Sequence, residues 1–214
     1  MNKGKMRSRT IIIAIIGVVG FLFISNIFTK REQQEAFEKW SVIVAQNFKK
    51  MQSGEENSIY AKGKHTKIPQ LEYDQMVAYY KLSKLSEEEA KKEADAYVKQ
   101  RYAIYVKAIE NGYDVTEQQI NAYIEELKKD MGKEENKKTV AIIKKAFGSE
   151  ELYWEYEKEL CKIDLPVRNY INALAKEYEK SNEKVTEKEW NNKFKTMKEQ
   201  FVKEEQFEIV GKNS

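Results

Sequence analysis

The stretch from Thr10 to Phe28 constrains this chain most, because it holds nineteen consecutive residues without a charge. As an α-helix it would extend about 28 Å at roughly 1.5 Å per residue, close to the thickness of a membrane's hydrocarbon core. We therefore predict a transmembrane anchor at residues 10–28. A cleaved signal peptide is the alternative, but the small residues of a cleavage site are missing around Phe23 to Ser25, which favours an uncleaved anchor.

The charges around this span predict its orientation. Four cations lie in residues 1–9, and such a basic flank stays in the cytoplasm, although Lys30 and Arg31 on the other side weaken the asymmetry. We expect a single-pass protein of a bacterial cell membrane that contacts lipid through the span. The C-terminal part would then lie outside the cytoplasm. A lipoprotein is excluded because the only Cys, Cys161, lies far downstream.

The rest of the chain is nearly neutral. The formal net charge is +3, and four cations precede the span, which leaves −1 for the 186 residues after it. Nucleic-acid-binding domains are usually basic, so we expect no nucleic-acid partner. With one His, His65, and one Cys, Cys161, the chain lacks the ligands of a His-based metal cluster or a Cys-His pair. We expect no metal, no cofactor and no catalytic residue.

Helix start and stop signals punctuate the chain, which has nine Gly and two Pro in 214 residues. In a capping box, a Ser or Thr side chain accepts a hydrogen bond from the backbone three residues on, and a Glu or Gln there returns one. Three such boxes are present, at residues 86–89, 116–119 and 186–189. Gly takes the left-handed conformation of a helix end without steric cost. We expect this role for Gly112, Gly132 and Gly148.

Together with apolar periodicity, these signals predict an all-α fold. The helices are expected at residues 72–84, 87–111, 117–131, 136–147, 150–181 and 187–205. The composition is rich in charged residues and poor in Gly and Pro, which excludes an all-β protein. Pro166 lies inside the longest helix and should kink it near residues 162–166, because its ring clashes with the preceding turn and it donates no hydrogen bond. We interpret this kink as a bend around a core, with a functional hinge as the alternative.

A further helix should leave the membrane, because apolar residues recur there at spacings of three and four. They are Phe37, Trp40, Val44 and Phe48. Residues 52–67 hold two Gly and no periodicity, which is typical of a linker. The predicted organisation is a basic flank at 1–9, the anchor at 10–28, a helical stalk at 29–51, the linker at 52–67, a helical domain at 68–205 and a tail at 206–214.

The order of pieces within residues 86–195 resembles a known family. One helix ends in Ala-Ile-Glu-Asn-Gly at 108–112, the next opens with Tyr-Asp-Val-Thr-Glu-Gln-Gln-Ile at 113–120, and Phe-Gly-Ser at 147–149 precedes a long helix. That helix runs through Tyr153, Tyr156 and Leu160 toward Val167. The arrangement is similar to the N-terminal chaperone domain of SurA-type and PrsA-type extracytoplasmic foldases. It resembles the substrate-binding domain of trigger factor more distantly.

This resemblance implies a helical cradle that holds unfolded or secreted polypeptides. In the family a parvulin-type prolyl isomerase module commonly follows, whereas only residues 206–214 remain here and His65 lies upstream of the match. We therefore expect a membrane-anchored chaperone-like module without enzyme activity. The alternative is a structural bitopic protein of a cell-envelope assembly, whose partner would be one fixed cell-envelope protein.

Aromatic residues are the candidates for contact with a polypeptide. The chain has thirteen Tyr, and each offers a large rigid face with a polar tip. Periodicity alone does not distinguish a groove from a packed core. The candidate polypeptide-binding residues are Tyr97, Tyr102, Tyr105, Tyr153, Trp154 and Tyr156.

Membrane fractionation tests the anchor. We expect the full-length chain to sediment with membranes, with its C-terminal part open to protease added outside the cytoplasm, because the uncharged span is long enough to cross and lacks a cleavage site. A soluble mature form that begins near residue 26 would contradict the prediction.

Overall fold

The computed structural model describes residues 29–55, 57–182 and 185–211. Seven α-helices make up most of this part of the chain, as the all-α prediction expects. They are α1 Lys30–Ser53, α2 Gln70–Leu82, α3 Glu87–Glu110, α4 Glu117–Met131, α5 Lys137–Phe147, α6 Glu150–Ser181 and α7 Glu187–Glu205. Three short strands form one sheet: β1 Ile59–Lys62, β2 Lys67–Pro69 and β3 Glu208–Ile209.

All three predicted capping boxes are present, and each starts a helix. At the start of α3, Ser86 Oγ accepts from the Glu89 N–H at 3.3 Å, and Glu89 Oε2 accepts from the Ser86 N–H at 3.0 Å. Thr116 and Thr186 cap α4 and α7 in the same way. A fourth box, formed by Thr29 and Glu32, starts α1.

Helix ends follow the prediction at two glycines and depart from it at the third. Gly148 is the left-handed cap of α5, with φ 88°, and Gly112 after α3 has φ 78°. Gly132 has φ −69° and is right-handed, so the left-handed prediction is wrong there. Its N–H still bonds to the Lys128 carbonyl at 2.9 Å, which is the bond of a continuing α-helical turn.

The longest helix, α6, is continuous across Pro166, which is buried. Because Pro166 has no N–H, the Lys162 carbonyl lacks its helical donor. A bend at this point stays a prediction.

The helix expected as a stalk, α1, is instead part of the main core. Trp40 and Val44 are completely buried, and Phe37 and Phe48 are buried beside them. α1 packs against α2 and α5, and the Trp40 ring meets the Tyr79 ring of α2 edge-on, with 5.3 Å between centroids. An apolar stripe of this kind needs a partner. The chain supplies one by folding back onto it.

The stretch expected as a linker forms a β-hairpin. β1 and β2 are antiparallel, with Ala61 opposite Ile68, and both side chains are fully buried. β3, from the expected tail, pairs with the other side of β1, so the strand order is β2-β1-β3. Strands of two to four residues are too short for alternation to be recognised in the sequence.

A buried carboxylate ties this sheet to α7. Glu205 exposes 2% of its side chain, and its Oε1 lies 2.7 Å from His65 Nδ1. Its Oε2 accepts from the His65 backbone N–H at 3.0 Å. Gly63 permits this contact, because a Cβ there would lie 2.7 Å from Glu205 Oε2. The β1-β2 turn is thereby held to the end of α7.

Replacing His65 with Ala should lower the free energy of unfolding by about 1–3 kcal/mol, because the buried Glu205 carboxylate would lose a hydrogen bond. Urea unfolding followed by circular dichroism measures this change. Lys64→Ala is the matched control, since the neighbouring side chain is exposed. Equal midpoints for wild type and His65→Ala would show that the contact does not stabilise the fold.

Candidate functional site

A cavity of about 690 Å³ opens where α4 and α5 pack against the first turns of α6. We call it the main cavity. Its apolar wall is built by Met131 of α4, Val140 and Ile143 of α5, and Tyr153 and Trp154 of α6. Ile143 and Tyr153 are almost completely buried, so this wall is anchored in the core.

The connection between α5 and α6 positions this wall. Gly148 ends α5 in a left-handed conformation, and Ser149 caps α6, its Oγ accepting from the Leu152 N–H at 3.1 Å. The two helices are thus joined by a very short turn. It brings the rings of Phe147 and Tyr153 together, with 5.4 Å between centroids.

Trp154 contributes a half-buried indole to the main cavity. Its ring centroid lies 4.8 Å from that of Tyr153. The Lys128 ammonium lies 5.8 Å from the Trp154 centroid, a distance at which a cation attracts an aromatic face. The indole therefore combines an apolar surface with a fixed orientation.

The rim of the main cavity carries three cations and three anions. They are Lys128, Lys137, Lys158, Glu150, Glu151 and Glu155. Lys128 and Lys137 already pair with carboxylates outside the cavity, at 2.8 and 2.6 Å. A balanced rim creates no strong potential of either sign. It favours neither a polyanion nor a polycation, so apolar contact would dominate binding.

A second cavity, of about 370 Å³, lies among α1, α2, α3 and α6. Its apolar lining includes Phe48, Leu71, Leu160 and Ile163. Gln75 of α2 supplies a polar group there: its Oε1 accepts from Asn47 Nδ2 at 3.3 Å, and its Nε2 donates to Tyr156 Oη at 3.4 Å. Both bonds are long. A ligand could therefore replace them at small cost.

Arg101 is the buried centre of an ionic cluster beside the second cavity. Its Nε donates to Asp164 Oδ1 at 2.8 Å and its Nη1 to Glu72 Oε2 at 2.6 Å. Tyr102 Oη donates to the other Glu72 oxygen at 2.6 Å. Burial alone would lower the pKa of Arg101, but the two carboxylates raise it well above its usual value. The guanidinium stays charged, and its charge is already matched.

Glu157, which lies near Tyr153 on α6, is another buried residue with an ionisable side chain. Among the described residues, neither Glu157 Oε1 nor Tyr153 Oη makes a hydrogen bond. Burial raises the pKa of Glu157 to about 7; the nearby Tyr153 hydroxyl opposes this shift, and the Asp164 carboxylate adds to it. Burial also raises the pKa of Cys161 to about 12. Glu157 is thus the group in this region that titrates near neutral pH.

Three of the six aromatic candidates line cavities. Tyr153 and Trp154 line the main cavity, and Tyr156 lines the second. Tyr153 and Tyr156 are buried, whereas Trp154 is half-buried. Trp154 is therefore the candidate that combines a place in a cavity wall with accessible ring surface.

The other three candidates lie on α3, away from the main cavity. Tyr102 is buried against Glu72, and Tyr97 is half-buried near Arg101. Tyr105 is half-buried and packs against the apolar cluster shared by α3, α6 and α7. The six residues do not form one surface, because successive turns of α3 and α6 direct them toward different neighbours.

Sequence reasoning missed Gln75, Arg101 and Glu157. The partners of Arg101 lie 29 and 63 residues away, so no local pattern marks them. Glu157 could have been found, since it lies four residues after Tyr153 on the apolar stripe of the long helix. An acidic residue at a core-facing position breaks the expected pattern.

Comparison with protein-family models, curated proteins and solved structures finds no match to this chain. The resemblance to extracytoplasmic chaperones therefore rests on the sequence pattern. Within the part of the chain that the structure describes, no helix is long and apolar enough to cross a membrane. The predicted anchor at residues 10–28 lies outside that part. No group of three or more His, Cys, Asp or Glu side chains in the described ranges is arranged to hold a metal.

Glu157 should make stability depend on pH. Its pKa is about 7 in the folded chain, above its ordinary value of 4.5, so its protonated form stabilises the fold below pH 4.5 and this contribution is lost as pH rises through 7. At pH 8.5 the free energy of unfolding of Glu157→Gln should exceed that of wild type by about 3 kcal/mol. This difference should shrink toward pH 5. Denaturant unfolding at several pH values measures it.

Glu159→Gln on the same helix is the matched control, because Glu159 is exposed and pairs with Lys162. It should keep the wild-type pH dependence. A Glu157→Gln variant with the same pH dependence as wild type would overturn the assignment.

Proposed function

We propose that this protein holds an extended, unfolded segment of polypeptide in the main cavity without catalysis, beside a membrane to which residues 10–28 anchor it. The observation that carries the proposal is the half-buried Trp154 in the apolar wall of a cavity of about 690 Å³. That volume lies within the range of about 300–1,000 Å³ typical of ligand cavities.

The chemistry of the cavity supports a polypeptide ligand. Met131, Val140, Ile143 and the two aromatic residues offer apolar contact, which a side chain of an unfolded segment can supply. Burying one such side chain contributes about 1.5–3 kcal/mol, which suits a weak, reversible complex. The balanced charges of the rim suit a segment with little net charge of its own.

The surroundings of the cavity support holding rather than catalysis. Its polar side chains are rim Lys and Glu residues. The hydroxyl of the lining residue Tyr153 is itself buried, and burial raises its pKa well above its usual value. A general acid or base works best with a pKa near the operating pH. Glu157 has such a pKa but is buried and does not line the cavity.

The membrane part of the proposal rests on the sequence. The nineteen uncharged residues before α1 are long enough to span a bilayer. A tether there would keep the cavity close to chains that emerge from the membrane.

Replacing Trp154 with Ser tests the proposal. The full chain, held in lipid nanodiscs, should bind a fluorescently labelled, permanently unfolded protein, and Trp154→Ser should weaken binding by about tenfold, since the apolar contact of the indole is lost. Fluorescence anisotropy measures this, with empty nanodiscs subtracted. Tyr178→Ser is the matched control: a half-buried aromatic residue on the same helix, outside the cavity.

Thermal unfolding of both variants separates lost binding from lost folding. Wild-type protein that binds no unfolded chain would contradict the proposal. Binding to a single folded partner and to no unfolded chain would instead support a fixed role in a cell-envelope assembly.

A further inference from the structure

The second cavity has no lining residue in common with the main cavity, so the proposed function leaves it without a role. Its volume is about 370 Å³. For comparison, an apolar cavity of about 150 Å³ admits benzene. The second cavity therefore has room for a small molecule about twice the size of benzene.

Arg101 supplies an unused hydrogen-bond donor to this cavity. Its guanidinium carries five N–H groups, and Nε and Nη1 donate to Asp164 and Glu72. Within the described residues, Nη2 donates no hydrogen bond. Arg101 exposes only 9% of its surface and lines the second cavity. Because buried polar groups normally have a partner, we expect a ligand atom to accept a hydrogen bond from Nη2.

The Arg101 guanidinium is held in a fixed position. Asp164 belongs to α6 and Glu72 to α2, so the side chain of Arg101 on α3 is fixed to two other helices, at 2.8 and 2.6 Å. The guanidinium carbon also lies 5.7 Å from the centroid of the Tyr102 ring. A donor that is already fixed does not have to be ordered when a ligand binds.

Tyr156 and Gln75 add a second donor and an acceptor to the lining. Gln75 Nε2 donates to Tyr156 Oη at 3.4 Å, so the Tyr156 hydroxyl hydrogen has no acceptor in the described part of the chain. Gln75 Oε1 accepts one bond, from Asn47 at 3.3 Å, and an amide oxygen has two lone pairs. The cavity thus presents two free donors and one acceptor with spare capacity.

The charges around the second cavity favour an uncharged ligand. Two carboxylates, of Glu72 and Asp164, surround the one guanidinium, so an anion would meet an excess of negative charge. A cation would meet the guanidinium, while both Glu72 oxygens already accept hydrogen bonds. At the rim, Glu159 and Lys162 pair with each other at 2.7 Å.

We propose that the second cavity binds a small molecule with an apolar body and an uncharged carboxamide group. The carboxamide oxygen accepts hydrogen bonds from Arg101 Nη2 and the Tyr156 hydroxyl, and its N–H group donates to Gln75 Oε1. The apolar body packs against the apolar lining, which includes Phe48 and Leu160. This inference goes beyond the proposed function, because it concerns a different cavity and a different class of ligand.

Three probes of similar shape test the class of ligand. They are 3-phenylpropanamide, which is neutral, 3-phenylpropanoate, which is an anion at pH 7, and 3-phenylpropylamine, which is a cation. Calorimetric titration of the full chain in lipid nanodiscs, with empty nanodiscs subtracted, measures each affinity. The amide should bind about tenfold or more tightly than either charged probe, because it alone is uncharged and matches both donors and the acceptor. Equal affinity for the amide and the carboxylate would contradict the proposal.

Substitutions in the lining locate the amide. Tyr156→Phe should weaken its binding about fivefold, because one hydrogen bond is lost. Tyr170→Phe is the matched control, since it removes the hydroxyl of another buried Tyr on α6 that lines neither cavity, and it should keep the wild-type affinity. Arg101→Lys keeps the charge but removes Nη2, and should weaken binding about tenfold or more.

The results separate this inference from the proposed function. Trp154→Ser should keep the affinity for the amide, because Trp154 lines only the main cavity. A wild-type chain that binds the amide but no unfolded protein would overturn the proposed function alone. No binding of the amide, or the same affinity in Tyr156→Phe as in wild type, would overturn this inference alone. The probe series and Tyr156→Phe decide it even if Arg101→Lys fails to fold.

Discussion

The rest of the fold depends on α6, whose 32 residues pack into three apolar clusters of the described structure at once. Tyr153, Cys161 and Ile171 each belong to a different cluster. Most helical stability comes from this kind of packing rather than from intrinsic propensity. The first turns of α6 also build the wall of the main cavity, through Tyr153 and Trp154. The helix that forms the wall of the proposed site is therefore also the helix on which the packing of the domain depends.

The sequence predicts the helices of this fold much better than their arrangement. Ser86, Thr116 and Thr186 mark helix starts through bonds that close within three residues, so the signal is local and readable. The pairing of His65 with Glu205 spans 140 residues. The sheet likewise pairs strands from the segment expected to be a linker with a strand from the segment expected to be a tail. Contacts of this kind leave no local pattern. Trp154 is recognisable as an aromatic candidate, but its place in a cavity depends on how α4 and α5 pack.

The two buried ionisable sites near the cavities differ in how their polar groups are satisfied. Arg101 is matched by Glu72 and Asp164 with short hydrogen bonds, and removing one partner from such a cluster typically costs about 3–5 kcal/mol. Glu157 Oε1 has no hydrogen bond within the described residues, and protonation lowers the cost of burying this side chain. Departures from the usual core pattern tend to occur at functional sites. Here the residue that departs from the pattern is Glu157, next to Tyr153 on α6. The group that titrates near pH 7 and the wall of the main cavity therefore lie on the same helix.

A recessed site would let the proposed holding function coexist with a surface that exposes few large apolar side chains. An open concave apolar surface would risk self-association, since monomers rarely expose large apolar patches. In the described residues, the large apolar side chains that are exposed are Val42, Met51 and Val210, which lie apart from one another on α1 and after β3. The apolar walls of the cavities consist instead of side chains that also fill the core, such as Ile143 and Phe48. Because these residues are already fixed by packing, a bound segment would lose its own freedom but would not have to order the site.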